Sequence, residues 1–248
     1  MENAKLHAEE KRQGQRLQEV KDLKKEWDPE TVPQMREIVP GLFIGNVRAS
    51  YTRDILQKNS INAMVSLSTA LWCFWGTRTR NAGIPAHRHK WVQCADSSTQ
   101  DLLVYMNDIC DFIDEMASPF LQSSSTLPIE HEHELHSKSH DGSSGALLVH
   151  CDRARSRSPT IVIAYLMRKY SATLGDALKF VQSKQKIRPN PNFMRQLQVW
   201  EEVGYDIWED EQKTVPKAAY QAFLADRAAL LKEKGLAGNE PLAPLHLA

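Results

Sequence analysis

The 248-residue chain has little of what marks a membrane, secreted or nucleic-acid-binding protein. No apolar run approaches the ~18 residues that read as a bilayer-crossing helix. There is no excess of one charge: 31 Lys and Arg face 31 Asp and Glu. A balanced chain offers no bulk attraction for nucleic acid or anionic lipid, so any attraction for phosphate has to be local. Cysteines are few. Cys73, Cys94, Cys110 and Cys151 show neither CxxC nor metal-finger spacing. The opening MENAKLHAEEKRQ is charged and lacks the apolar centre of a secretory signal. The expectation is a cytoplasmic or nuclear protein, or one found in both, with reduced thiols.

What is present is a 42% hydrophobic content, enough to bury a core, in a length that suits one domain with extensions. Residues 1–35 are rich in Lys, Glu and Gln and read as a charged extension, helical or disordered. At Ile38 the composition changes. IVPGLFIGN (38–46) joins a Pro-Gly turn signal to a short apolar strand. RDILQKNSINAMVSLS (53–68) reads as a short helix, a turn at Lys58, Asn59 and Ser60, and a buried strand over 63–67. Residues 87–95 give another strand. After it Leu102, Met106, Ile109, Ile113 and Met116 recur at helical spacing, with Ser98 and Asp101 spaced as a capping box. Residues 118–144, rich in Ser and His, read as a long flexible insertion. GALLVH (145–150) is a short strand, and helices follow over 159–170, 174–186 and 192–204. The tail, 205–248, holds one more over 217–234, with Tyr220, Leu224, Ala228 and Leu231 on one face and Gly235 as its stop. Strands alternating with helices argue an α/β fold.

The chemistry gathers in LLVHCDRARSRSPTIVIAYLM. A buried strand ends at His150, a loop runs from 151 to 157, and a helix begins near Ser158 and Pro159. The loop's backbone N–H groups, through Asp152, Arg153, Ala154 and Arg155, point into the same concavity as the helix N-terminus and form an anion site. The same field favours a thiolate at Cys151, because helix N-termini and nearby cations lower a cysteine pKa from ~8.5 to roughly 3.5–7.5. Arg157 returns after one loop, and its planar fork can take two phosphate oxygens. The hydroxyls of Ser156 and Ser158 can hydrogen-bond the sulfur. A buried structural cysteine would also account for a Cys and an Arg six residues apart. The preceding strand, His150, the Ser-Arg-Ser run and the following helix set this case apart. Cysteine chemistry on phosphate also needs a proton donor for the leaving oxygen. Asp96 is the candidate, since it follows a strand at the sheet edge where α/β sites gather. Asp101 competes, but the capping-box position accounts for it.

At these residues the sequence resembles a known family. HCDRARSRSPT is similar to the signature of the dual-specificity phosphatases, within the cysteine-based protein tyrosine phosphatase superfamily: His-Cys, five residues, Arg, then Ser or Thr. IVPGLFIGN resembles the family's opening strand, INAMVSLS its next core strand, and IRPNPNFMRQLQVWEE the stretch after the signature. The resemblance spans about residues 36–204 and leaves 1–35 and 205–248 outside. It implies a central, mostly parallel sheet flanked by helices. It also implies that Cys151 attacks phosphorus to form a phosphocysteine, Arg157 holds the phosphoryl oxygens, and Asp96 protonates the leaving group and then serves as base for water. His150 would orient the loop and lower the thiol pKa, and Asn190 would hold the two loops together. No metal and no cofactor are implied. The expected partner is a phosphorylated protein substrate or a polyanionic small phosphate.

Two departures from the family pattern bear on function. The family usually has Gly where Ala154 stands; if that residue needs φ > 0, alanine costs about 1–2 kcal/mol and distorts the cradle. A catalytically weak phosphate-binding protein would result. Arg153 and Arg155 make the loop more basic than in most protein-directed members, which fits an inositol phosphate, a phosphoinositide or an acidic phosphopeptide. The leading reading is hydrolysis of phosphotyrosine and phosphoserine or phosphothreonine in proteins. His131, His133, His136 and His140 fit no rigid ligand set. Trp72 and Trp75 read as packing or surface-loop residues, and Cys94 reads as a core thiol rather than a disulfide partner of Cys151. No oligomeric state follows.

Overall fold

The computed structural model describes residues 32–69, 80, 82–128 and 145–238. Nearly all of the charged N-terminal extension, together with Trp72, Trp75 and the four histidines over 131–140, lies outside the described residues.

The first strands follow from two residues. Pro40 fixes its own φ, and Gly41 takes φ 82, open to glycine at no steric cost. The chain reverses there, so β1 (Met35–Val39) runs antiparallel to β2 (Leu42–Asn46), with Val39 opposite Leu42. The sequence pattern shows only the second of these, because Arg36 and Glu37 break the apolar run of an edge strand. Helix α1 (Arg53–Lys58) leads to β3 (Ile61–Ser68) and β4 (His89–Gln93). Then come α2 (Leu103–Met116), α3 (Pro119–Ser123) and β5 (Ala146–Cys151). Helices α4 (Arg157–Tyr170), α5 (Leu174–Lys184), α6 (Pro191–Glu202) and α7 (Ala218–Glu233) complete the described elements.

The sheet order is β1-β2-β5-β3-β4, parallel everywhere except at the β1–β2 edge. This is the expected α/β, mostly parallel sheet flanked by helices. β5 is central and buried along its whole length, as its unbroken apolar sequence requires of a strand covered on both faces. Successive residues feed two cores. Ala63, Val65, Leu67, Leu147 and Val149 meet α4 on one face, while Met64, Leu148 and Phe43 meet Leu56 and Ile84 on the other. Helix α4 is buried from 157 to 167, with α2, α5 and α6 packed around it. No helix among the described residues is long and apolar enough to cross a membrane.

Three expectations change. Helix α2 starts at Leu103 with no side chain capping Leu102, so Ser98 and Asp101 form no capping box. The insertion is folded at its start, where α3 buries Leu121. On α7 the inward residues are Tyr220, Phe223 and Leu231, and Ala228 is exposed, because the helix settles with Phe223 rather than Ala228 against the core.

A polar knot lies inside the sheet. Ser66 Oγ on β3 meets His89 Nε2 on β4 at 2.7 Å and His150 Nε2 on β5 at 2.5 Å. One hydroxyl can donate to one ring and accept from the other, and burial keeps both rings neutral. Burial lowers His89 to about 4, and burial together with His89 lowers His150 to about 3. An unfolded chain takes up protons at these rings below about pH 6.5, whereas the folded one does not until pH has dropped well below that. Stability is therefore full above pH 6.5 and falls between pH 6.5 and 4. Chemical denaturation across that window should show the fall, and His89→Gln should make it shallower by up to about 1.4 kcal/mol per pH unit.

Candidate active site

Strand β5 brings Cys151 to the C-terminal edge of the sheet, 3% exposed. The chain bends through 152–156 and enters α4 at Arg157. Ser158 Oγ, in the helix's first turn, donates to Cys151 Sγ at 3.2 Å. Ser156, expected to do the same, turns instead to Asp96 and donates to its Oδ1 at 2.9 Å. Ala154 has φ 57, inside the left-handed well that glycine enters freely. Its carbonyl accepts from Gln185 Nε2 at 2.9 Å, and the Arg155 carbonyl accepts from Arg188 N–H at 2.7 Å. These two braces hold the loop closed around alanine.

Arg157 is 4% exposed. Its Nη1 donates to Leu67 O at 3.2 Å and Cys94 O at 3.0 Å, and its Nη2 pairs with the Asp152 carboxylate. Leu67 lies at the end of β3 and Cys94 just past β4, so the guanidinium ties the loop to two strand ends. Burial alone would pull its pKa down; Asp152 and the Cys151 and Cys94 sulfurs raise it further, so it stays charged. Its buried Nε has no hydrogen-bond partner among the described residues, which leaves a charged donor for an anion.

Asp96 follows β4. Besides Ser156, its Oδ1 accepts from Asn190 Nδ2 at 2.7 Å. Asn190 also caps α6, with its Oδ1 accepting from Phe193 N–H at 2.9 Å ahead of Pro191. Its own N–H donates to Ser156 Oγ at 3.2 Å. The 151–157 loop, the Asp96 loop and α6 therefore converge on one serine hydroxyl. Asp101 is not brought there. Its Oδ1 accepts from Leu103 N–H at 2.9 Å and its Oδ2 from Tyr220 OH at 2.8 Å, and burial pushes its carboxyl pKa up. His150, 1% exposed and neutral, holds the strand end through Ser66. It brings no charge to the sulfur. Cys94 is a free, buried thiol pushed up by burial to about 12, and it serves the site through its carbonyl. Arg153 and Arg155 are exposed.

Residues 135–203 match the family described as dual specificity phosphatase, catalytic domain. Dual specificity protein phosphatase 1 of Arabidopsis thaliana is 30% identical over 193 residues, covering 76% of this chain and 78% of that protein. The chain belongs to the dual-specificity phosphatase family. Dual specificity protein phosphatase 1B of the same plant is 30% identical over 172 residues, 67% of this chain and 81% of that one. The crystal structure of human DUSP28 matches with a TM-score of 0.52 at 25% identity, over 70% of this chain and 96% of that chain. The Yvh1 phosphatase domain from Chaetomium thermophilum shares the fold, with a TM-score of 0.52 at 24% identity, over 71% of this chain and 99% of that chain.

This dual-specificity phosphatase uses residues that the sequence pattern does not single out. Gln196 on α6 is fully buried. Its Oε1 accepts from Leu102 N–H at 2.7 Å and its Nε2 donates to Gln100 O at 2.7 Å. Asn192 Nδ2 donates to Ser97 O at 3.1 Å and Gln100 O at 2.8 Å. The signal was an amide at an inward position, Gln196 between Phe193 and Leu197, where an apolar residue is the rule. Arg36, Lys184 and Lys186 join Arg153 and Arg155 around a groove of about 390 Å³; nothing in their sequence spacing brings them together. Asn190 separates two roles cleanly. Asn190→Ala should lose about 0.5–2 kcal/mol through the missing cap and lose turnover as well. Asn190→Ser should keep the cap and the stability but still lose turnover, as thermal melting and phosphate-release rates would register.

Proposed function

We propose that this phosphatase hydrolyses phosphotyrosine, phosphoserine and phosphothreonine in proteins through a phosphocysteine. In this reading the Cys151 thiolate attacks phosphorus. The bond from phosphorus to the leaving oxygen breaks, and Asp96 gives that oxygen its proton. Water then attacks the phosphocysteine, Asp96 takes the water's proton, and the S–P bond breaks to release phosphate and restore the thiolate. Arg157 and the loop amides hold the three phosphoryl oxygens throughout. The observation that carries this reading is the convergence on one loop of Cys151 Sγ with its Ser158 partner, the buried charged Arg157, and Asp96 bonded to that loop through Ser156.

The test is phosphate release from phosphopeptides. Cys151→Ser should abolish it; a rate equal to wild type would end the proposal. Asp96→Asn should slow release from phosphoserine by about 10²–10⁴-fold, but release from an aryl phosphate with a good leaving group much less. A trapped phosphoenzyme should appear only when Cys151 is present.

The groove beside the cradle favours one kind of protein substrate. Five of its lining residues are Lys or Arg and none is acidic, in a chain of zero net charge. The cations come from β1, the phosphate loop and the end of α5, so they are spread rather than focused on one point. Such a wall suits an extended phosphopeptide with acidic or further phosphorylated neighbours, each contact being electrostatic and salt-sensitive. The family's naming as protein phosphatases supports a peptide over a small polyanion. Replacing Arg36, Lys184 and Lys186 together with Ala should raise KM for a doubly phosphorylated peptide about tenfold more than KM for a small aryl phosphate. Equal changes for both, or a selective loss confined to inositol polyphosphates, would overturn it.

A further inference from the structure

We infer that the C-terminal helix α7, beyond the region matched to the family, is a positioning element for the Asp96 loop and thereby sets how well the enzyme handles poor leaving groups. The inference rests on the proposed role of Asp96 as proton donor.

The loop from 94 to 102 has no regular secondary structure, so its shape comes from what grips it. Helix α6 grips it through Asn192 and Gln196. Helix α7 supplies two further grips. Tyr220 OH donates to Asp101 Oδ2 at 2.8 Å, both residues being buried, and Arg227 Nε donates to Thr99 O at 2.7 Å. The pull is passed back towards Asp96 within the loop. Gln100 Nε2 donates to Asp101 O at 2.8 Å, and Gln100 Oε1 accepts from Ala95 N–H at 2.8 Å, one residue before the acid. A route of hydrogen bonds thus runs from Tyr220 through Asp101 and Gln100 to Ala95.

The helix itself is firmly seated. Tyr220 stacks on Phe223 and meets the edge of Trp208, Arg195 pairs with Asp226, and Lys217 Nζ donates to Val203 O at 2.8 Å. A buried carboxylate must find partners. Asp101 spends one oxygen on Leu103 N–H and the other on Tyr220. Removing the tyrosine hydroxyl takes from this buried carboxylate its bond to α7, and relief comes from the loop shifting towards solvent. Such a shift moves Asp96 while leaving Cys151 and Arg157 in place, because neither touches α7 in any contact described above and Cys94, whose carbonyl holds Arg157, is tied to the sheet by its N–H to Ser68 O at 2.9 Å.

The signature is chemical. A loosened proton donor penalises alkyl and phenyl leaving groups and spares nitrophenolate, which departs without a proton. Tyr220→Phe keeps the ring and removes only the hydroxyl. It should lower kcat on phenyl phosphate and phosphoserine peptides about tenfold and on p-nitrophenyl phosphate by less than twofold, with KM nearly unchanged. Arg227→Gln, partly exposed and safer for folding, should shift rates in the same direction. Combined with Asp96→Asn, Tyr220→Phe should add no further loss, since the group it positions is gone. A uniform loss across leaving groups, no loss, or full additivity with Asp96→Asn would overturn the inference. If Asp96→Asn itself shows no dependence on leaving group, the fault lies with the role given to Asp96 rather than with α7.

Discussion

A buried guanidinium, bonded to the ends of two strands, governs this molecule. Arg157 sits almost wholly inside the protein, and a charge so placed is costly unless it is met by hydrogen-bond acceptors. The Leu67 and Cys94 carbonyls and the Asp152 carboxylate meet it. Of these, the carbonyls matter more. Asp152 is about half exposed, so its attraction is screened by solvent, while the two carbonyls are fixed by the sheet. The 151–157 loop therefore takes its shape from strands β3 and β4 as much as from its own residues, and the register of the parallel sheet sets the geometry around Arg157.

That support explains how the loop tolerates Ala154. A non-glycine residue in the left-handed region costs about 1–2 kcal/mol. Each hydrogen bond gripping the loop, from Gln185 to Ala154 O and from Arg188 to Arg155 O, is worth about 0.5–1.5 kcal/mol net. Two such bonds are of the same size as the strain. The sequence from 185 to 188 thus belongs to the loop energetically, although it lies some thirty residues away along the chain.

Much of the fold was legible because its signals are local. The apolar run before Cys151, the Pro-Gly turn at 40–41 and the periodic helices each report on their own segment. Cys151, Arg157 and Asp96 stand out in the sequence for the same reason: two share one loop, and the third follows a strand. What escaped depends on contacts between distant segments. Ser156 could have faced the sulfur or the acid, and only the position of Asn190 decides. The neutrality of His150 comes from its burial between two other strands and from His89 beside it. Asp101 does accept from the first N–H of α2, as a helix start asks, but its other oxygen goes to Tyr220, 119 residues later. Strand β1 was missed because an edge strand need not hide its polar residues.

The Ser156 hydroxyl donates a hydrogen bond to Asp96 and accepts one from the Asn190 backbone N–H. The same small group therefore belongs to the Cys151 loop, the Asp96 loop and the start of α6. Three segments that could have varied separately are bound into one unit of inheritance. A substitution in any of them changes which substitutions the other two will tolerate, so this site must drift by coordinated steps, and epistasis is written into it by a single oxygen.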